Sequence, residues 1–583
     1  MKYAELVGVY ERLEGTAKRL EKTAILSEFL KNVSDEKVLL LVQGRVFPNW
    51  DPRELGVAAK LLVKAVQVAT GASLEKIEGV WMEKGDLGLA ADELVGKKTQ
   101  ATLFREQLSC AKVFDNLRKV AELEGEGVVD RKVQLIAELL SSAGEGEAKY
   151  IVRTVLQELR IGLGEGTIRD SIVWAFFGEK YGAGYDAEKN SFTVREQDKY
   201  GAAAALVQDA LDRLNDVVEV VQRARQGEDA LRGVELVPLR PVKVMLYQKA
   251  LNVANALEIV GVPAAAEFKY DGFRLQIHRD GDKIVLFTRR LEDVTAQFPD
   301  VVSVVRKNIK SARVIIDAEV VGVDPVSGKY LPFQNISQRI KRKYDIGELA
   351  AKFPVEVNVF DILFMEKSLI DVPFEKRRMY LKEITEELPG ALKLAEQTMV
   401  NTVEEGEKVY ARALEEGNEG LMMKNVQAMY KPGSRVGFGV KVKPTMDTLE
   451  VAVVGAEWGE GKRGAWLASF IVAVRDPESG KFLEIGRVGT GIKEKSEEGT
   501  SFEQLTALLL PLKTEESGRE IRVIPKVVME VDYEEIQASK AYSSGFALRF
   551  PRMVRLREDR AAGEVSTIDD VRRLAGAQRG RDQ

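Results

Sequence analysis

The stretch EFKYDGFR, Glu267 to Arg274, sets a glutamate two residues before a lysine, an Asp-Gly pair two residues beyond it and an arginine after that. A strand end carries such charges, and a nucleotide-binding site needs all of them. Four further stretches add chemistry when read with the alternation of an extended chain. In RVIIDAEVVGV, Asp317 and Glu319 face away from Ile316, Ala318 and Val320. In VEVNVFDILF, Val355, Val357 and Val359 share one face, leaving Phe360 on the other with Glu356 and Asn358. In GVKVKP, Lys441 and Lys443 alternate with Val440 and Val442, and Pro444 biases Lys443 toward an extended backbone. In NEGLMMKN, Glu419 precedes an apolar strand that ends in Lys424. Together these supply an aromatic platform for a base, lysines for phosphates, and carboxylates for a hard cation or ribose hydroxyls.

The elements that must position these groups are readable in outline. The chain has 583 residues, 45% hydrophobic and 30% charged, enough for several packed cores. Residues 1 to about 235 read as helical, with stripes such as Ile151, Val152, Val155, Leu156 and Leu159, and with Thr167 as the cap of a following helix. Pro238 and Pro241 mark a junction. From 236 to 444 strand patterns alternate with helices, and FRLQIHRDGDKIVLF is a hairpin around Asp280-Gly281. From 445 to 583 short strands with glycine turns suit a small barrel, followed by a capped helix in STIDDVRRLAGAQ. The predicted division is therefore 1–235, 236–444 and 445–583.

Composition narrows the chemistry. A single cysteine, Cys110, rules out an internal disulfide or a cysteine zinc ribbon, and with one histidine, His278, acid–base work falls to Lys, Asp, Glu, Tyr or water. Cys110 reads as a small buried hydrophobe and His278 as a strand residue. Net charge is −5, so basic character is local, as in QRIKRKYD and RFPRMVRLREDR. No apolar run reaches a membrane span and no signal peptide is evident, which points to a cytoplasmic protein.

KYDGFR resembles the first motif of the covalent nucleotidyltransferases, with Lys269 as nucleophile. TRRLEDVTAQFPD, IIDAEVV, VNVFDILF, EGLMMK and GVKVKP follow in the order and spacing of ATP-dependent DNA ligases of the archaeal and eukaryotic replicative type. LQELRIGLGEGTI upstream, and EWGEGKRGAWLASFIVAV and RFPRMVRLRED downstream, extend the likeness over nearly the whole chain. The resemblance implies an all-α DNA-binding domain, an α/β (α+β) nucleotidyltransferase domain and a β-barrel OB-fold domain. It implies that Lys269 attacks the α-phosphate of ATP, that Glu267 orients adenine and that Phe360 stacks on it. It places Arg274 and Arg289 on ribose and phosphate, and Arg435 and Lys441 on nucleotide phosphates, with Lys424 and Lys443 in the same cationic cluster. Glu319 would hold ribose hydroxyls and, with Glu419, a magnesium or manganese ion. Arg557, Asp559 and Arg560 match the last motif, Arg560 standing where lysine is common.

This chemistry suits the residues. A lysine is mostly protonated at neutral pH; crowding by Lys424, Lys441 and Arg274 would favour the neutral amine of Lys269 and also neutralise the α-phosphate. The expected partner is nicked double-stranded DNA, sealed by a monomer that encircles it. An RNA-capping guanylyltransferase does not account for the helical region, an NAD-dependent ligase normally carries a cysteine zinc site, and a non-catalytic DNA-binding scaffold has no need of the intact Lys269 cluster. Gln100, Leu103 and Phe104, in KKTQATLF, resemble a sliding-clamp-binding peptide. Arg557 and Arg560 are expected over the active site during lysine adenylylation, with residues 443–447 as the pivot that later swings them away.

Overall fold

The computed structural model describes residues 1–51, 53–97, 107–341, 346–444, 447–459, 463–494 and 499–577. Gln100, Leu103 and Phe104 lie outside the described residues, as does the side chain of Arg435.

Amphipathic helices run from Tyr3–Glu14 to Glu228–Leu231, interrupted by a hairpin of β1 (Gly184–Asp186) and β2 (Ser191–Thr193). Helix Cys110–Glu122 shows why they pack: Cys110, Val113, Phe114, Leu117 and Val120 form one buried stripe, and Ser109 caps the first turn by accepting from the Lys112 N–H. One apolar core gathers residues from Tyr3 to Val234. Two local expectations shift. The stripe that begins at Ile151 leaves the helix at Val155, because Gln157 and Arg160 take positive φ. The next helix begins at Glu165 behind Gly164, so Thr167 lies inside its first turn and does not cap it.

The proline-marked junction is tied down by the only histidine. His278 Nδ1 accepts from the Leu239 N–H at 3.0 Å, so its Nε2–H donates to Gln276 Oε1 at 2.9 Å; that oxygen also accepts from the Val242 N–H at 2.7 Å. Full burial holds the imidazole neutral, its pKa pushed down to about 3.

Two sheets follow. The first has the order β12-β4-β13-β14-β3: β3 Leu246–Lys249, β4 Ala264–Lys269, β12 Gln397–Val400, β13 Gly420–Asn425 and β14 Arg435–Val442. The second has the order β10-β9-β7-β5-β6: β5 Phe273–Asp280, β6 Lys283–Thr288, β7 Arg313–Val323, β9 Val355–Met365 and β10 Lys367–Ser368. The short β8 (Tyr330–Leu331) lies on β7 and β11 (Leu392–Leu394) on β9. β5 and β6 form the expected hairpin, with Asp280 opposite Lys283 and Gly281 at φ 61°. Helices such as Val253–Val260, Pro299–Asn308 and Val403–Glu415 cover the outer faces, giving a mixed α/β domain.

The C-terminal part is β-rich, with strands β15 (Leu449–Trp458), β16 (Leu467–Arg475), β17 (Phe482–Val488), β18 (Lys513–Ser517), β19 (Glu520–Val523) and β20 (Val528–Asp532). A hairpin of β21 (Glu535–Ala538) and β22 (Phe546–Arg549) precedes β23 (Arg552–Leu556). The sheet runs β17-β16-β15-β19-β18, and long β15 also pairs with β20, which pairs with β23. A register shift at Val453/Gly455 marks a bulge that lets β15 serve both partners. Among the described residues no pairing closes this sheet into a ring. Thr567 caps helix Ile568–Ala577 by accepting from the Asp570 N–H. No described helix is long and apolar enough to cross a membrane.

Candidate active site

The site lies between the faces of the two middle sheets. On the first, cross-strand register places Glu267 opposite Met422 and Met422 opposite Lys441, while Lys269 is opposite Gly420. Two glycines make the approach possible. A Cβ on Gly420, at φ 139°, would lie 2.1 Å from the Val442 carbonyl oxygen; one on Gly272 would lie 2.4 Å from that of Val320. Gly272 in the KYDG run therefore allows close strand contact rather than a left-handed turn, since its φ is not positive. The Glu419 N–H donates to the Lys269 carbonyl at 2.8 Å, locking the strand of Lys269 to β13.

On the second sheet Arg274 is opposite Glu319. Phe360 reaches the cavity on the face that alternation gives it: Val355, Val357 and Val359 pack in one apolar core, while Phe360 packs against another with Val321 and Tyr330. The register of β9 on β7 steps from Asp361 to Val359, leaving Phe360 as the extra residue of a bulge. Its expected companions Glu356 and Asn358 share that face, Asn358 opposite Glu319, and are buried; Glu356 accepts from the Tyr330 hydroxyl at 2.6 Å and pairs with Lys393.

Both faces open on one cavity of about 1970 Å³. Glu267, Lys269, Arg274, Arg289, Glu319, Phe360, Glu419, Lys424, Lys441 and Lys443 all line it. Arg53 and Lys132 of the helical region border it, as do Glu534, Gln537, Arg549 and Phe550 of the C-terminal region. Arg557, Asp559 and Arg560 are not among the lining residues. Arg557 is bound by Glu450 and by Asp559 within its own domain, and Glu450 also lies 3.6 Å from Arg560.

The charges are paired differently from the simple crowding of Lys269 by free cations. Lys424, 3% exposed, lies 2.5 Å from Glu267, 2% exposed, whose other oxygen accepts from Gln397 Nε2 at 2.9 Å. Arg274 donates to Asp317 at 2.5 Å and to the Tyr430 hydroxyl at 3.0 Å, with its guanidinium 5.3 Å from the Phe360 ring centre. The Lys424 ammonium is 4.6 Å from the same ring. Both cations are thus neutralised and buttress the aromatic platform.

Lys269 itself meets a carboxylate. Its Nζ is 2.7 Å from Glu419, and the same Glu419 oxygen is 2.5 Å from Lys443. Burial would raise the Glu419 carboxyl, but Lys269 and Lys443 outweigh it and hold the pKa at about 2. Lys441 has no carboxylate within ion-pairing distance among the described residues, and burial followed by repulsion from Lys443 lowers its pKa. Burial pushes Glu319 up to about 7, only partly offset by Lys269 and Arg274. No group of three or more described His, Cys, Asp or Glu side chains is arranged to hold a metal. Glu319 on the second sheet and Glu419 just before β13 on the first both line the cavity and repel each other, a pair that suits an ion whose remaining ligands are phosphate oxygens and water.

Sequence reasoning did not single out Gln397, Tyr430 or Glu534. No local pattern marks them; each matters because a distant strand or domain brings it to a charged side chain.

A lysine-lined cavity between two sheets, flanked by a helical and a β-rich domain, has the build of a nucleotidyltransferase. Three family models match in order: DNA ligase N terminus over residues 2–173, ATP dependent DNA ligase domain over 244–443, and ATP dependent DNA ligase C terminal region over 463–560. The DNA ligase of Nanoarchaeum equitans is 44% identical over 100% of this chain and 99% of its own length. That of Thermococcus fumicolans is 42% identical over 99% of each. A solved structure titled Pmar-Lig_PreS3 shares the fold, with TM-score 0.56 over 95% of this chain and 99% of its own, at 15% identity. The chain belongs to the ATP-dependent DNA ligase family.

Proposed function

We propose that this ligase seals nicks in duplex DNA through a lysine-AMP adduct on Lys269, with ATP held by the cavity residues above. The observation that supports the assignment is that Lys269, Phe360, Lys441 and Lys443 line one cavity.

Lys269 first leaves Glu419 and passes its proton to solvent, to which its side chain is partly open. Its Nζ lone pair then attacks the α-phosphorus, the N–P bond forms, and the bond to the bridging oxygen breaks to release pyrophosphate. Lys441 and Lys443 face the phosphates, Phe360 stacks on adenine, and Glu267, oriented by Gln397 and Lys424, reads the base edge. Arg289, exposed after β6, meets ribose or phosphate, and Arg435 a phosphate. A magnesium ion held by Glu319, Glu419 and phosphate oxygens would offset charge on the leaving group. The 5′-phosphate at the nick then takes the adenylyl group from Lys269, and the 3′-hydroxyl attacks that phosphate, expelling AMP and closing the strand. Arg53 and Lys132 extend the cavity toward the helical region, fitting phosphate contacts to DNA.

We assign a DNA-binding domain to 1–235, an adenylylation domain to 236–444 and an OB-fold domain to 445–583. Support comes from separate apolar cores, one ending at Val234 and another spanning Leu449 to Leu574. All site groups come from one chain, so a monomer suffices. Gln100, Leu103 and Phe104 are proposed to bind a sliding clamp.

Incubation with α-labelled ATP and magnesium, then peptide mapping, tests the central assignment. Label is expected on Lys269 and absent from Lys269→Ala, whose melting is unchanged. Normal labelling of that variant would overturn the assignment.

A further inference from the structure

One carboxylate at the active site comes from outside the adenylylation domain. Glu534, between β20 and β21, lies 3.2 Å from Lys443 Nζ. It ends a line of alternating charges that runs from Glu534 to Lys443, then Glu419 at 2.5 Å, then Lys269 at 2.7 Å. Lys441, which has no ion-pair partner among the described residues, also faces it electrostatically. This contact accompanies one particular docking of the OB-fold domain, with Gln537, Arg549 and Phe550 at the cavity and the cationic Arg557 and Arg560 held elsewhere by their own carboxylates.

We propose that Glu534 is a positioning residue that acts through Lys443: an internal anion that holds the phosphate-facing lysines while the site carries no polyphosphate and must withdraw when ATP enters. The inference rests on the site assignment made above. Its physical basis is competition for the same ammonium groups. Lys443 already binds Glu419, so its remaining donors serve either Glu534 or a phosphate oxygen. A polyphosphate brings several negative charges to Lys441 and Lys443 and repels a carboxylate seated there. The lysine-AMP phosphate carries much less charge, so once pyrophosphate leaves, Glu534 can return and restore this docking for the nick-joining steps. The OB-fold domain thereby senses whether the site holds a polyphosphate or an adenylate, through one side chain.

The Glu534 side chain is 45% exposed, so its replacement leaves the fold intact. The test compares wild type, Glu534→Gln and Glu534→Asp by rapid quench, with adenylylation of Lys269 by ATP and closure of a nick supplied already adenylated measured separately. For Glu534→Gln the KM for ATP in adenylylation is expected to fall about two- to fivefold, the range for one partly exposed ion pair. Its kcat for that step stays unchanged, and inorganic tripolyphosphate inhibits more strongly by the same factor. Closure of the adenylated nick slows, and Glu534→Asp, which keeps the charge, restores both behaviours toward wild type. An unchanged KM for ATP in Glu534→Gln, or an equal loss of both steps in Glu534→Gln and Glu534→Asp, would overturn the proposal. Adduct mapping separates this from the underlying assignment: wild-type label away from Lys269 defeats the site reading, whereas label on Lys269 with an unchanged KM defeats only the role of Glu534.

Discussion

Replacing Lys424 with methionine tests whether that lysine serves the protein's interior or the phosphates. At 2.5 Å from Glu267, and with both side chains almost fully buried, the pair attracts by roughly 7 kcal/mol at an effective dielectric of about 20. Desolvation takes back several kcal/mol per ion, so the intact pair contributes little net stability. Breaking it is different. Lys424→Met keeps the stem but leaves the Glu267 carboxylate with only Gln397, and such losses cost about 3–5 kcal/mol. The cation–π contacts to Phe360 and Phe374, 4.6 Å each, go as well. For a domain of this size 1 kcal/mol corresponds to about 2–4 °C, so its calorimetric transition should fall by roughly 6–20 °C. The double variant Glu267→Gln/Lys424→Met removes both charges and should recover most of that loss, giving a coupling energy of at least about 2 kcal/mol in the cycle. A drop below about 1 kcal/mol for Lys424→Met, with ATP affinity as its only casualty, would refute the buried-pair account and make Lys424 a direct phosphate ligand.

Three other outcomes are expected. Phe360→Ala should weaken ATP binding by about 1–3 kcal/mol, the worth of one stacked base, as read by isothermal titration; a large loss of thermal stability with unchanged affinity would make Phe360 a core residue. Because Glu319 titrates near 7 in the fold, above its ordinary value, the native chain binds a proton that the unfolded chain has already released. Its contribution is therefore present at low pH and lost as pH rises from about 4.5 to 7, and Glu319→Gln should flatten the stability–pH curve of the ligand-free enzyme there; parallel curves would contradict this. Replacing Leu103 and Phe104 with alanine should abolish stimulation by a sliding clamp without slowing clamp-free sealing, measured on one nicked duplex with and without clamp.

Much of the molecule was legible before any coordinates. Strand alternation, the Asp280-Gly281 hairpin and most helical stripes are local effects of backbone geometry and survive folding; the Ile151 stripe, which leaves its helix at Val155, does not. The spaced motifs of the middle domain likewise name groups that line one cavity, while Arg557, Asp559 and Arg560 of the last motif stand apart from it. Local pattern stops short where chemistry depends on neighbours far along the chain. Alternation puts Phe360 on the cavity face with Glu356 and Asn358, but it shows neither the bulge at Phe360 nor the burial of its two neighbours. Lysines that look like equivalent cations differ in kind: Lys424 is spent on Glu267, Lys269 and Lys443 share Glu419, and Lys441 is left unpaired among the described residues. His278, unremarkable as a strand residue, anchors the domain junction through Leu239. Glu534 reaches the site only because a second domain docks there. The amino-acid sequence determines which charges exist and which face of an element carries them. Which charges cancel is set by distance between strands and domains, and only the tertiary structure decides that.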